Sequence, residues 1–242
     1  MKKNRPRPVY GVSLGILMLD TKFERRIGDV GNALSWRFPV HYRIVSGVDT
    51  DRVATGDPDA VLTEFYRGID DLVSLGVDGI STSCSKLSAL HPRLRAYSPV
   101  PFVTSSLQQI PLVLGILPKG QTVGVLVSNA SAISDASFFG TGAPTGLPIA
   151  ELPKGGAFRS ALEGSALQGD FAKQEREILD TAEMLLRGPA EIGAIVCECV
   201  NLAPFSSSLR NRFGLPVFDI VTLLEWFHGG LQPRRFSSEH KM

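Results

Sequence analysis

Short runs of consecutive apolar residues punctuate the chain at 9–17, 100–103, 122–127, 192–196 and 217–221. Unbroken runs of this length predict strands covered on both faces, as in a parallel sheet flanked by helices. Between them the apolar positions fall at helical spacing: Val61, Leu62, Phe65, Ile69 and Leu72 within 60–75, and Ile178, Leu179, Ala182, Leu185 and Leu186 within 171–186. Strands that alternate with helices predict an α/β fold.

The pattern also repeats. Laying 80–115 on 195–230, an offset of 115 residues without a gap, matches seven positions of 36: Ile80/Ile195, Cys84/Cys199, Leu87/Leu202, Leu94/Leu209, Arg95/Arg210, Pro101/Pro216 and Gly115/Gly230. Unrelated segments would match at roughly two or three. Each half runs helix, strand, cysteine, short helix, Leu-Arg, loop, Pro and strand, and Tyr10-Gly11-Val12 has a counterpart in Val123-Gly124-Val125. The expectation is two similar lobes with parallel sheets related by a pseudo-twofold axis, one holding residues 1–105 plus 210–242 and the other 106–209. Such sheets present ligands at the carboxyl ends of their strands, so Cys84 and Cys199 are expected to meet across one cleft.

Composition narrows the partners. The 242 residues are 43% hydrophobic, enough for buried cores in both lobes. Lys and Arg total 25 against 24 Asp and Glu, leaving no excess charge to draw the chain to nucleic acid or an anionic membrane. A small molecule is the expected partner. Lys2, Lys3 and Arg5 ahead of the apolar run to Leu19 imitate a secretory signal, yet Pro6 and Pro8 interrupt the basic stretch and no small-x-small cleavage pattern follows. No run reaches the roughly 18 apolar residues of a membrane span. Three cysteines, two of them separated by a single residue, suit reduced thiols in the cytoplasm better than disulfides. Zinc is not expected, because His41, His91, His228 and His240 are scattered singly and no four-ligand spacing is present.

The chemistry concentrates at two places. Residues 79–85 read Gly-Ile-Ser-Thr-Ser-Cys-Ser and 193–201 read Gly-Ala-Ile-Val-Cys-Glu-Cys-Val-Asn, each a strand running into a turn. A free cysteine taken alone behaves as a small buried hydrophobe. Cys197 keeps that role, since its counterpart in the first half is Thr82 and not a second cysteine. Equivalent thiols at Cys84 and Cys199 suit one task above others: one takes a proton from one face of a carbon while its partner returns a proton to the other face. One must then be thiolate, and because free cysteine ionises near about 8.5, the amides after Cys84 and the charge of Lys86 are expected to favour that form.

Taken together, Gly15-Ile16-Leu17-Met18-Leu19-Asp20-Thr21, the Gly28-Asp29-Val30-Gly31-Asn32 turn, Thr82-Ser83-Cys84, Cys199 with Asn201, and Phe218-Asp219-Ile220-Val221-Thr222 resemble the aspartate/glutamate racemase superfamily. The similarity runs over nearly the whole chain, and the superfamily also includes hydantoin and allantoin racemases, arylmalonate decarboxylase and maleate cis-trans isomerase. It implies two flavodoxin-like lobes, one cysteine from each acting as base and acid, no pyridoxal phosphate, metal or other cofactor, and a homodimer. The amino-acid racemases commonly follow the first cysteine with Asn-Thr and the second with Thr-Glu or Thr-His. Ser85-Lys86 and Val200-Asn201 stand here instead, so recognition of the substrate carboxylate differs in detail.

Ser85, Val200 and Asn201 follow the cysteines and are expected to turn backbone amides or side chains toward a bound carboxylate. Asp20 with Thr21, and Asn129 at the equivalent end of the second lobe, are candidate cleft residues that could equally cap turns. Lys86 either meets a substrate carboxylate or is solvated. The 28–32 segment fits neither the P-loop nor the dinucleotide fingerprint, and is expected to be a surface loop or cleft lid. Arg234, Arg235 and Lys241 around Phe236 read as a solvated tail. The leading expectation is a racemase or epimerase acting beside a carboxylate or imide carbonyl, on an amino acid such as aspartate or glutamate or on a hydantoin-like substrate. One alternative is a decarboxylase or cis-trans isomerase of a small diacid using one thiol; another is a non-catalytic ligand-binding protein.

Overall fold

A computed structural model of the chain describes residues 11–55, 57–164 and 169–234. The basic start of the chain, and Arg235, Phe236 and Lys241 of the expected tail, lie outside these residues. The first half contains β1 (Leu14–Leu19), β2 (Val40–Val45), α1 (Thr50–Thr55), α2 (Pro58–Leu75), β3 (Gly79–Thr82), α3 (His91–Tyr97) and α4 (Ile110–Ile116). There follow β4 (Thr122–Val127), α5 (Asp135–Thr141), β5 (Ile149–Glu151), α6 (Ala157–Glu163), α7 (Phe171–Leu186), β6 (Ile192–Cys197), α8 (Ser206–Phe213), β7 (Val217–Phe218) and α9 (Ile220–Leu231). A 3-10 turn follows each strand that ends near a cysteine, at Ser85–Leu90 and Val200–Phe205.

The expected α/β architecture holds. All strands pair in parallel, in sheets ordered β2-β1-β3 and β5-β4-β6-β7. The runs at 9–17, 122–127 and 192–196 become the central strands β1, β4 and β6, of which β1 and β6 are buried along their whole length. The run at 100–103 forms no strand and makes only a bridge from Phe102 to Ile80. Strand β2 breaks the run pattern because it is an edge strand, and Ile44 is half exposed on it. The 217–221 run yields only a two-residue strand, because Asp219 caps the next helix, taking the Thr222 amide on its carboxylate at 2.8 Å. Helix α2 starts where Asp57 caps it ahead of Pro58 and stops at Gly76, whose φ of 89° is left-handed. Its predicted apolar face, Val61, Leu62, Phe65, Ile69 and Leu72, is the buried one.

Both sheets are covered on both sides. Helix α2 packs on one face of the first sheet, around Leu17 and Ile80. On the other face α9 sets Leu223, Leu224 and Phe227 against Leu14 and Ile16. Helix α7 covers the second sheet through Ile178, Ala182 and Leu185, and Leu107, Ile110 and Val113 cover its reverse. Strand β7 pairs with β6, so the chain returns to the first sheet only in α9.

The sequence repeat is written into the backbone hydrogen bonds, whose donors recur at the offset that separates Cys84 from Cys199. Ile80 N–H donates to Pro101 O as Ile195 N–H does to Pro216 O, at 3.0 and 2.9 Å. Ser83 N–H donates to Leu17 O, and Glu198 N–H to Leu126 O, both at 2.9 Å. Leu87 N–H closes on Cys84 O at 3.2 Å and Leu202 N–H on Cys199 O at 3.0 Å. The segment after the first half is tied to the second by Ser106, whose hydroxyl donates to Cys197 O at 2.6 Å, and the halves meet where α5 packs on the turn after Cys84. Among the described residues no helix is long and apolar enough to cross a membrane.

The α5 contact depends on a missing side chain. A Cβ at Gly140 would fall inside the contact distance of the Ser88 backbone carbonyl, which cannot swing away as a side chain could. Gly140→Ala is therefore expected to cost about 1–3 kcal/mol, the usual penalty for overpacking. Urea denaturation of the variant against wild type checks this.

Candidate active site

Both thiols occupy the position just past a strand end. Cys84 follows β3 and Cys199 follows β6; they are 6% and 7% exposed, and neither is in a disulfide. They line one cavity of about 320 Å³ between the two halves. Its wall includes the cations Arg25, Lys86 and Arg159, the acids Asp51, Glu163 and Glu198, and the polar side chains of Thr21, Ser85, Ser128, Asn129 and Asn201. Leu19, Phe23, Leu162 and Val200 supply its apolar part.

The sequence candidates fall into distinct places. Ser85 is buried on the wall, and its hydroxyl bonds the Glu198 carboxylate. Asn201 lies 3.6 Å from the Cys199 sulfur through Oδ1, to which the thiol donates, and its Nδ2 donates to Asp29 Oδ2. Val200 contributes apolar wall and packs against the α9 core. Asn129 lines the cavity while capping a turn, its Oδ1 accepting the Ser131 amide at 3.0 Å. Asp20 does not line it: the side chain is exposed and accepts the Gly47 amide at 3.3 Å, so the turn-capping reading describes its contact, and Thr21 holds the wall position beside it. Cys197 is wholly buried in the second core.

Residues 28–32 are neither a surface loop nor a lid. Asp29 and Val30 are buried, and the segment is pinned by a web of bonds. Arg25 Nη1 meets Asp29 Oδ1 at 2.7 Å, the Gly31 amide donates to the same oxygen at 2.8 Å, and Trp36 Nε1 donates to Val30 O at 3.2 Å. Gly28, at φ 99°, passes so close to Pro204 that any side chain would meet the backbone there. The segment lies behind the cavity wall and holds two of its residues, Arg25 and Asn201, through Asp29.

Sequence reading passed over Glu198, Arg25 and Arg159. The signal for Glu198 was a charged residue at the carboxyl end of an otherwise apolar strand, in Cys-Glu-Cys. Arg25 and Arg159 come from a loop and a short helix with no strand-end signature; Arg159 Nη1 also pairs with Glu151 at 2.8 Å. Among the described residues no group of three or more His, Cys, Asp or Glu side chains is placed to hold a metal ion.

Burial controls the ionisation of the site. The Cys84 thiol is pushed up to about 11, chiefly by loss of water; the amides of Lys86 and Leu87 and the Lys86 charge pull the other way, and Glu198 adds to the rise. Cys199 is pushed up to about 12 by burial, then by Glu198, against the Asn201 amide and the Ser128 hydroxyl, with Cys84 adding a little. The expected help from Lys86 and the strand-end amides is present in direction, but desolvation outweighs it. Glu198 is itself raised by burial to about 7, with the Ser85 hydroxyl and Lys86 opposing.

These geometries align the chain with known proteins. No family model matches it. It is 24% identical over 245 residues to a dimethylsulfoniopropionate lyase of Durusdinium sp. clade D, covering 95% of this chain and 80% of that protein. It is 26% identical over 228 residues to dimethylsulfoniopropionate lyase 3 of Emiliania huxleyi, covering 87% of this chain and 57% of the algal one. Among solved structures it superposes on allantoin racemase from Klebsiella pneumoniae with a TM-score of 0.61 at 13% identity, covering 91% and 87% of the two chains. Unliganded arylmalonate decarboxylase gives 0.59 at 16%, covering 91% and 92%. Glutamate racemase from Francisella tularensis with D-glutamate gives 0.55 at 16%, covering 93% and 84%. These three are members of the aspartate/glutamate/hydantoin racemase superfamily, and the chain has their fold.

Because the folded protein holds the Glu198 proton at pH values where an unfolded carboxyl, near about 4.5, has lost it, stability should fall as pH rises from about 4.5 through about 7. The shift corresponds to about 3 kcal/mol at most. Glu198→Gln removes the titration, so the difference in denaturation midpoint between variant and wild type should move in favour of glutamine across that window. A difference that stays constant from pH 4.5 to 7.5 contradicts the assignment.

Proposed function

We propose that this protein is a cofactor-independent enzyme that removes a proton from the carbon beside a carboxylate, using a cysteine thiolate as base, and completes turnover by elimination. The observation that carries this reading is the pair of thiols, Cys84 and Cys199, at equivalent strand ends on the wall of one cavity. A thiolate is a strong enough base for an activated carbon acid, and a matched acid–base group contributes about 10²–10⁴-fold to such a step. Lys86, the cavity cation without an ion pair among the described residues, is suited to hold the carboxylate and stabilise the enolate-like charge that builds on it.

The name of the relatives supplies the substrate type, a carboxylate bearing a sulfonium group. Cys84 or Cys199 as thiolate takes the α proton, the C–H electron pair becomes a double bond to the neighbouring carbon, and the C–S bond breaks with its electrons on sulfur. The products are a neutral sulfide, an unsaturated carboxylate and a protonated cysteine, which must lose its proton before the next cycle. A reducing, cytoplasmic setting belongs to the proposal, because an oxidised thiol cannot serve; a homodimer is carried over from the family resemblance.

A second reading, favoured by the duplication of the thiol, is a racemase or epimerase acting on an amino acid or hydantoin-like compound. Here the opposite cysteine returns the proton to the other face and no bond to a leaving group breaks.

Proton NMR in D2O separates the two. With dimethylsulfoniopropionate, aspartate, glutamate, hydantoins and small diacids as a panel, elimination gives alkene and sulfide-methyl signals, whereas racemisation gives loss of the Cα-H signal alone. For elimination, Cys→Ser at the base should lower turnover by about 10²-fold or more and the other Cys→Ser by less. Equal loss of inversion in both variants, with one-sided exchange surviving, favours the racemase. A silent panel with folded, reduced protein rejects both.

A further inference from the structure

The two halves repeat each other's hydrogen bonds but differ in the residue ahead of each cysteine. Ser83 uses its hydroxyl locally, accepting the Leu19 amide at 2.9 Å. At the matching place stands Glu198, 3% exposed, whose carboxylate lines the cavity and accepts the Ser85 hydroxyl from the opposite half. Other carboxylates near the cavity have cations of their own: Asp29 has Arg25, and Glu163 has Arg159 at 3.9 Å. Among the described residues Glu198 has no cation within ion-pair distance, and Lys86, on the same wall, has no anion. A buried carboxylate left in that condition is costly unless something positive comes to it.

We infer that Glu198 is the specificity residue for a cationic group on the substrate, so that Lys86 and Glu198 form the two poles of a site for a small zwitterion: a carboxylate carrying a sulfonium or quaternary ammonium one carbon beyond the reacting centre. The inference rests on the reading of the cavity as a carbon-acid site and adds what the substrate must bring to it. Burial raises Cys84, Cys199 and Glu198 together, and the charge of Glu198 opposes a thiolate at both cysteines. An onium group bound among the three favours the ionised form of each, whereas an anionic group at the same place disfavours all three. The substrate thereby carries in the positive charge that lets a buried thiol act as base.

Calorimetric binding of two stable probes tests this. 3-(Trimethylammonio)propionate and 4,4-dimethylpentanoate share a carboxylate and a shape and differ by one positive charge. Wild type is expected to bind the ammonium compound at least about tenfold more tightly, and Glu198→Gln to bring the two within about twofold through loss of the cationic one alone. Equal affinities in wild type, preference for the uncharged compound, or no binding of either at millimolar concentration overturns the inference whether or not the variant folds. A preference that survives in folded Glu198→Gln overturns it as well. Elimination or exchange without a cation preference sinks this inference and leaves the proposed function standing; a cation preference without either reaction does the reverse.

Discussion

The hydrogen bonds from Ser83 N–H to Leu17 O and from Glu198 N–H to Leu126 O are the point from which the site is built. Each ends the pairing of a strand with its sheet's central neighbour and fixes the direction in which the chain leaves. The next residue is in both cases a cysteine, and the turn that follows closes on that cysteine's carbonyl. Because the sheets are parallel, both departures occur at carboxyl ends, where no strand hydrogen bonds compete and side chains can face a ligand. The remaining structure serves to hold these two ends against each other. Ser106 ties the segment between the halves to the end of β6, and Gln109 ties it to the cap of α9 by donating to Asp219 O at 2.9 Å.

That construction has an electrostatic consequence. Strand ends in the middle of covered sheets are dry, and dryness works against every charged form placed there. The backbone amides beyond Cys84 and Cys199 offset part of this, but not enough to make either thiol acidic. The protein has put a carboxylate, Glu198, beside the thiols rather than another cation. A site meant to raise thiolate population by itself would have the opposite sign there.

The fold was legible because its central strands are unbroken apolar runs and its long helices carry regular faces; α7 and β4 fall where periodicity puts them. The thiol pair was legible because a repeat of ordinary residues carried an uncommon one at the same register. Strands β2 and β5 were not legible, since edge strands are half solvated and short and lose the run signature. Glu198 was hidden because the repeat drew attention only to matching residues, and the position it occupies is Ser83 in the first half. Arg25 depends on the buried web around Asp29, a product of long-range packing between residues 25–36 and the turn after Cys199, to which no local period corresponds.

Asymmetry between the halves bears on which reaction the site runs. A racemase must operate in both directions, so each thiol has to serve as base in its turn and the two environments need to be comparable. Here Lys86 acts on Cys84, while the leading influences on Cys199 after burial are the repulsion of Glu198 and two neutral hydrogen-bond donors. The nearby charges therefore oppose each other at Cys84, where Lys86 favours the thiolate, and act against it at Cys199. One-way chemistry tolerates that division, and elimination is one-way in the needed sense: after the leaving group departs there is no face to reprotonate. Under the proposed elimination the second thiol would have the lesser task of completing the wall, and the Cys199 S–H is neutral and held on the Asn201 carboxamide oxygen. Under the proposed reading the repeat accounts for the second cysteine, and Glu198, which stands where the first half has Ser83, is the point at which the two halves differ in charge beside the cavity.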